Sequence, residues 1–268
     1  MPVPQADPLQ LFAIFESTKV KAQYENHYLS DTDIANYARQ SFAKLAENFT
    51  PEQNNSLIKF LARGMQSGDW ENLIEKLIIA GRRNDPFLVK QLATYCRNIP
   101  EHWVPFGHPH ITLRMQAPIP IRVQCFKHKI GFVESEESRR YISSRPEVFI
   151  PEFFRAKPTG SVKQGSGDAH PDSQYWMRVY QDSTNQQIRI YEKMVAEGIC
   201  PEQARFVLPQ GCEVNWVWTG SLYAYANFYN QRSDSHAQKE IQELANQVDK
   251  IIAPLYPVAW AALTKGAY

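Results

Sequence analysis

Apolar side chains recur at helical spacing through the first third of the chain. Ile34, Tyr37, Ala38, Phe42 and Leu45 share one stripe and predict a helix over 31–48. Leu57, Ile58, Leu61 and Met65 make a second stripe. Its start is marked in full: Thr50 caps, Pro51 fits the first helical position and Gln53 completes a capping box. Gly68-Asp69 ends that helix and opens another, carrying Leu73, Ile74, Leu77 and Ile78. Asp85-Pro86 opens a third, with Leu88, Leu92, Tyr95 and Cys96 on one side. These stripes are core faces rather than chemistry. Residues 1–30 show no decisive period, and Leu9 to Phe15 reads equally well as strand or short helix.

The texture changes at Pro100. His102-Trp103-Val104-Pro105-Phe106-Gly107-His108-Pro109-His110 is too rich in proline for a helix and predicts an ordered loop. Ile111, Leu113 and Met115 then alternate with polar residues as a half-buried strand, broken at Ala117-Pro118. Pro120 starts a helix that places Gln124, Lys127 and His128 on one face, with Gly131 as its end. Residues 141–151 read as extended, interrupted by Pro146. The Gly, Ser and Lys-rich run from Arg155 to Pro171 lacks the Lys-Ser/Thr that a phosphate loop needs after its second glycine, so it reads as a surface loop.

A helix follows over 173–197, closed by Gly198, then a short one over 201–208 carrying Arg205. Val214, Trp216 and Trp218 alternate as a buried strand. Thr219 caps the next helix, which runs through Ser221, Asn227 and Asn230 to a polar break at Gln231–Asp234. The stripe Ile241, Leu244, Ala245, Val248 and Ile252 predicts an amphipathic helix over 235–252, stopped by Pro254 and followed by a short terminal helix. No repeat or linker interrupts the chain. The expected fold class is α/β (α+β): one elaborated domain over 1–268, a mixed sheet with flanking helices, and a helical elaboration at about 50–98.

Composition narrows the function. Hydrophobic residues are 43% and charged ones 21% of 268 residues, an ordinary globular balance. A net charge of +1 does not favour a nucleic-acid partner. Cys96, Cys125, Cys200 and Cys212 lie far apart without a CxxC, which disfavours a zinc site or a disulfide scaffold and predicts reduced thiols. With no apolar run long enough for a membrane span and no signal pattern at Met1–Pro8, a cytoplasmic protein is expected.

The candidate chemistry concentrates between Gln124 and Tyr141. His102, His108 and His110 are possible metal ligands, but the intervening prolines limit their convergence and no metal is expected. Ser138 has no Gly-x-Ser-x-Gly elbow around it and sits between Glu137 and Arg139, a poor setting for a nucleophile. Phosphate recognition fits better. Guanidinium groups bind phosphate in bidentate fashion, and Ser138-Arg139-Arg140 places a hydroxyl beside two of them. Arg205 and Arg232 adjoin other turns. Gln124 has the paired donor and acceptor that reads an imide edge.

These residues resemble a known family. Lys127-His128-Lys129, eight residues, then Ser138-Arg139-Arg140-Tyr141 is similar to the signature of flavin-dependent thymidylate synthases, Arg-His-Arg, seven or eight residues, Ser-x-Arg. Ala38-Arg39-Gln40-Ser41-Phe42 resembles the family's early Ala-Arg-Val-Ser-Phe, and His102-Trp103-Val104-Pro105-Phe106 with His108 its His-x-Thr-Pro-Phe-x-His loop. Ala204 to Pro209 resembles Ala-Arg-x-x-Leu-Pro. Arg232 to Ile241 resembles Arg-x-Asp-x-His-Ala-Gln-x-Glu-Ile. The chain departs at Lys127 and Lys129, where the family has arginines, and at Val104, Ser135, Glu137, Ser221 and Tyr223.

The resemblance implies an enzyme that methylates dUMP reductively to dTMP. It implies 5,10-methylenetetrahydrofolate as carbon donor, NADPH as reductant, FAD as cofactor, and a homotetramer with active sites between subunits. No nucleic-acid or membrane partner is expected, on the net charge and the lack of a long apolar run noted above. By position, Gln124, Lys127, Glu136, Glu137, Ser138, Arg139, Arg140, Arg205 and Arg232 would contact dUMP, with Arg232 activating the uracil. His102, Lys127, His128, Lys129, Glu136, Ser221 and Asn227 would line FAD. Two alternatives stay open: a pyrimidine-nucleotide hydroxymethylase on the same fold, or a nucleotide-binding homologue without turnover.

Overall fold

The computed structural model describes residues 20–40, 42, 44–97, 102–158 and 165–265, with the backbone alone at Ser67 and Tyr95. Leu9–Phe15, Ser41 and part of the Gly-Ser-Lys-rich run lie outside these residues.

A sheet of four strands carries the core. Its order is β1 (Lys21–Tyr28), β2 (His110–Pro118), β4 (Glu213–Ser221), β3 (Phe132–Glu136). All three pairings are antiparallel, so the expected mixed sheet is an antiparallel one. Strand alternation puts Ala22, Ile111, Leu113, Met115, Phe132, Trp216 and Trp218 on one buried face. The opposite face carries polar positions such as Gln23, Arg114, Ser135 and Asn215. Two strands had no clear sequence signal. β1 is mostly polar and is held through its backbone, with Gln247 accepting from the Ala22 N–H and donating to the Val20 carbonyl. β3 is a short edge strand in which Glu134, Ser135 and Glu136 interrupt the apolar pattern.

Two helices cover the buried face. α9 (Leu222–Arg232) follows directly from β4, and α10 (Lys239–Leu255) packs along β1. The α10 stripe Ile241, Leu244, Ala245, Val248 and Ile252 is buried throughout, as its period requires. The helix starts later than 235, because Asp234 Oδ1 accepts from the His236 N–H at 2.8 Å and holds a turn there. Pro254 falls inside the last helical turn, and the helix ends one residue after it. α11 (Pro257–Thr264) closes this layer, with Asp31 accepting from the N–H groups of Val258 and Ala259 at its start.

The N-terminal helices are α1 (Asp31–Gln40), α2 (Pro51–Ala62), α3 (Ser67–Arg82) and α4 (Pro86–Arg97). The helix expected over 31–48 stops at Gln40, and a short 3-10 turn forms at Ala46–Asn48. The capping box at Thr50 and Gln53 is present in both directions. α2 buries Ile58, Leu61 and Ala62 in the main core, whereas α3 and α4 pack on each other through Leu73, Ala80 and Leu92. The proline-rich stretch after His102 contains a single helical turn, α5 (Val104–Gly107), because Pro105 lies in its first turn, where the missing N–H costs nothing.

Later in the chain come α6 (Ile119–Cys125), α7 (Ser173–Ala196), α8 (Pro201–Ala204) and a 3-10 turn at Arg205–Val207. α6 ends before Lys127, so Lys127-His128-Lys129 occupies a turn rather than a helix face. Gly131 has φ +78 and leads into β3 instead of ending a helix. Ser221, not Thr219, caps α9. β4 runs two residues past Thr219, whose hydroxyl pairs with Thr112 across the sheet at 2.9 Å.

Candidate functional site

The turn after α6 is fixed from the core outward. Phe132 stacks on Trp218 with ring centroids 4.0 Å apart, and Trp218 meets Phe228 of α9 edge-on at 5.1 Å. Phe228 in turn meets the His128 ring edge-on at 5.2 Å. Arg232, the last residue of α9, then closes the cluster. Its Nε–H donates to His128 Nε2 at 2.9 Å and its Nη2 to the Gln124 carbonyl at 3.4 Å. The Gln124 amide donates to Gln238 Oε1 at 2.7 Å, which joins α6 to the start of α10.

This geometry sets protonation states. Burial, and then the Arg232 charge, lower the His128 pKa to about 4, so the ring is neutral at physiological pH. Its Nε2 accepts from Arg232, which leaves the proton on Nδ1. Burial pushes the Cys125 thiol up to about 12 despite the nearby Arg232, and the Cys212 thiol up to about 11. Neither is a ready thiolate.

A separate cleft of about 440 Å³ opens between α6, the end of β3 and the Arg205 turn, large enough for a nucleotide-sized ligand. Arg122, Glu136, Glu137, Ser138, Arg139, Arg205 and Phe206 line it. The Arg139 Nη1 donates to the Ser144 carbonyl at 2.5 Å, and Arg205 Nε to the Glu202 carbonyl at 3.2 Å, so each guanidinium is anchored at one edge. Glu137 does not stand free beside them. It accepts from the Asn215 side chain at 3.0 Å, and its own N–H donates to the Asn215 carbonyl at 3.0 Å. Glu136 has its carboxyl pKa raised by burial, with the Arg122 charge opposing and Glu134 adding to the shift.

The profile of the thymidylate synthase complementing protein family matches residues 25–258. The chain belongs to the flavin-dependent thymidylate synthase family. A flavin-dependent thymidylate synthase from Thermosipho africanus is 32% identical over 168 residues, which covers 62% of this chain and 73% of that protein. One from Kosmotoga olearia is 32% identical over 169 residues, again 62% and 73%. Among solved structures, the UMP/dUMP methylase PolB from Streptomyces cacaoi, bound with 5-Br dUMP, shares the fold. Its TM-score is 0.70 at 23% identity, over 93% of this chain and 96% of that one.

The site residues expected from the sequence fall into distinct groups. Glu136, Glu137, Ser138, Arg139 and Arg205 share the cleft. Arg140 does not join them. It turns toward the Tyr141 hydroxyl and lies 3.9 Å from Glu202. Gln124, His128 and Arg232 form the second cluster, one helix away. Lys127 and Lys129 are exposed beside it, with Lys129 paired to Glu134 at 2.5 Å. Asn227 is half-buried on α9, and His102 is exposed near Phe60, with ring centroids 6.4 Å apart. Ser221 is 6% exposed, and its Oγ already accepts from the Ala224 N–H at 3.2 Å, so its hydroxyl serves the helix.

Sequence reasoning missed Arg122, Gln238, Asn215 and Phe206 at these sites. Gln238 lies inside the matched late block, and that position was the available signal. Arg122 is reached only through β3, which has no strong strand pattern. Among the described residues, no group of three His, Cys, Asp or Glu side chains converges to hold a metal, and no helix is long and apolar enough to cross a membrane.

Proposed function

We propose that this protein is a thymidylate synthase that methylates dUMP to dTMP reductively, with 5,10-methylenetetrahydrofolate as carbon donor, NADPH as reductant and FAD as cofactor. The observation that carries this reading is the gathering of Ser138, Arg139 and Arg205 in one nucleotide-sized cleft, with Arg232 one helix away on neutral His128. Two anchored guanidinium groups and a hydroxyl supply the donors a phosphate dianion requires. In this reading Arg232 lies at the uracil edge and stabilises negative charge developing there as C5 becomes nucleophilic. Neutral His128 orients that guanidinium without adding a competing cation. The buried, protonated Cys125 and Cys212 take no part as nucleophiles.

The side chains around the Arg232 cluster fit a flavin dinucleotide. Exposed Lys127 and Lys129 offer ammonium donors for an anionic group, and half-buried Asn227 offers an amide. In this reading His102, two residues before α5, would approach from the side where α5 packs against α9. FAD, when bound, supplies the hydride that completes the methyl group. Ser221 would contribute through the helix it caps rather than through its hydroxyl.

We also propose a homotetramer in which neighbouring subunits complete each site. Arg140 leaves its own cleft, and Phe206 at that cleft is 81% exposed. Trp70, Ile74 and Ile78 add an exposed apolar stripe on α3. The unpaired cysteines agree with a cytoplasmic location.

The visible spectrum of the purified protein after exposure to FAD tests the reading. Flavin bands that persist through desalting and shift on addition of dUMP are expected. A colourless protein that retains no FAD yet binds dUMP would contradict the assignment. UMP belongs in the same titration, because PolB is named for both nucleotides.

A further inference from the structure

Arg122 lies on α6, two residues ahead of Gln124, at a position to which no matched motif assigns a cation. Its Nε is 3.0 Å from Oε2 of Glu136 on β3, and the two side chains are only 24% and 26% exposed. Both line the cleft that holds Ser138, Arg139 and Arg205. The guanidinium also lies over the Phe126 ring, 5.1 Å from its centroid, which limits its freedom to swing away.

The contact is Coulombic rather than a directed hydrogen bond. The buried Arg122 Nε–H is not aimed at the carboxylate, and among the described residues no other side chain donates to Glu136. The carboxylate therefore keeps lone pairs for a donor inside the cleft. Left alone, a partly desolvated carboxylate drifts toward its neutral form, and Glu134 on the same strand pushes the same way. The other charged groups lining the cleft are Glu137, Arg139, Arg205 and Glu213. Of these, Glu137 is tied to Asn215, Arg139 to Ser144 and Arg205 to Glu202. Glu136 also borders a second cavity that carries Lys21 and Arg114; among the described residues, Arg122 is the cation within ion-pair distance of it.

Resting on the proposed function, we infer that Arg122 is a positioning residue for nucleotide binding: it holds the Glu136 carboxylate anionic and aimed into the cleft, where it accepts a hydrogen bond from the bound nucleotide. Arg122 acts through Glu136 and not as a third phosphate ligand. The contribution is to ground-state binding, so its loss raises KM more than it lowers kcat.

The test uses the FAD-loaded protein with dUMP. Arg122→Met is expected to raise the dUMP KM and the calorimetric Kd by about tenfold while kcat stays within about threefold. Arg122→Lys, which keeps the charge, returns both to within about threefold of wild type. In Arg122→Met the acid limb of kcat/KM moves to higher pH, because Glu136 has lost its counter-charge. Glu136→Gln produces a similar rise in KM, and adding Arg122→Met to it costs less than about a further twofold. Should the methionine variant not fold, Arg122→Gln takes its place in every comparison. An unchanged dUMP Kd, an unmoved acid limb, or fully multiplicative effects of the two substitutions would overturn the inference. Wild-type protein that makes no dTMP would count against the proposed function instead, and Kd alone then decides the role of Arg122.

Discussion

His128 and Arg232 constrain each other, and the constraint is measurable. The Arg232 charge is the second cause of the low His128 pKa, after burial. In Arg232→Ala, an NMR titration of the His128 ring should show its pKa rising from about 4 yet staying below 6.5. An unmoved pKa would mean that the hydrogen bond at 2.9 Å does not persist in solution. The same substitution should lower dTMP formation by about a hundredfold or more, the scale on which loss of one aligned charge-stabilising donor acts. Stability carries a related signature. The folded ring takes up its proton only near pH 4, while the unfolded ring does so near 6.5, so the unfolded state gains stability as pH falls through that window. For a half-buried ring the loss is about 1–2 kcal/mol. Urea titrations of wild type and His128→Gln should therefore converge on acidification between those two values. The sequence resemblance assigns His128 to the flavin and Arg232 to dUMP, and the direct contact between them emerges only in the fold. It does not reveal that the histidine is neutral, because neutrality comes from burial of the ring and then from the Arg232 charge beside it. In the same way, Arg139 and Arg140 are neighbours in sequence, but the turn they occupy sends only Arg139 into the cleft.

The turn between α6 and β3 depends on Gly131. A Cβ there would lie 3.0 Å from both Ala224 Cβ and Ser221 Oγ, at a φ of +78 that side chains rarely adopt. Gly131→Ala should cost about 2–3 kcal/mol, read as a lower denaturant midpoint, because strain and crowding add. Gly81→Ala on α3 meets nothing within 4 Å and should instead stabilise by about 0.5–1 kcal/mol. The elements legible in sequence are those fixed by local rules: the capping box at Thr50, the α10 stripe, and the alternation through Trp216 and Trp218. β1 and β3 are fixed by partners far away in sequence. Lys21–Tyr28 has few apolar positions and becomes a strand because β2 and Gln247 receive its backbone. Arg122 escaped notice for that reason, since its partner Glu136 sits on the strand whose own pattern is ambiguous.

At the scale of the whole molecule, antiparallel packing of β1, β2, β4 and β3 against α9 and α10 buries two of the four cysteines and leaves Cys96 and Cys200 exposed. A maleimide probe should label those two in the native protein, and Cys125 and Cys212 only after unfolding. Rapid labelling of all four would contradict the packing around the Arg232 cluster. Motifs far apart in sequence meet at the two ends of α6, with Ser138, Arg139 and Arg205 in the cleft at one end and His128 and Arg232 at the other, while the early motifs at Arg39 and His102 lie elsewhere, against Asn54 and near Phe60. A nucleotide bound there for reductive methylation has a defined fate. Incubation of the FAD-loaded protein with dUMP, 5,10-methylenetetrahydrofolate and NADPH, with the nucleotide product identified by mass spectrometry, should yield dTMP in wild type and almost none in Arg232→Ala. A hydroxymethylated nucleotide, or unchanged dUMP from protein that has bound both FAD and dUMP, would contradict it.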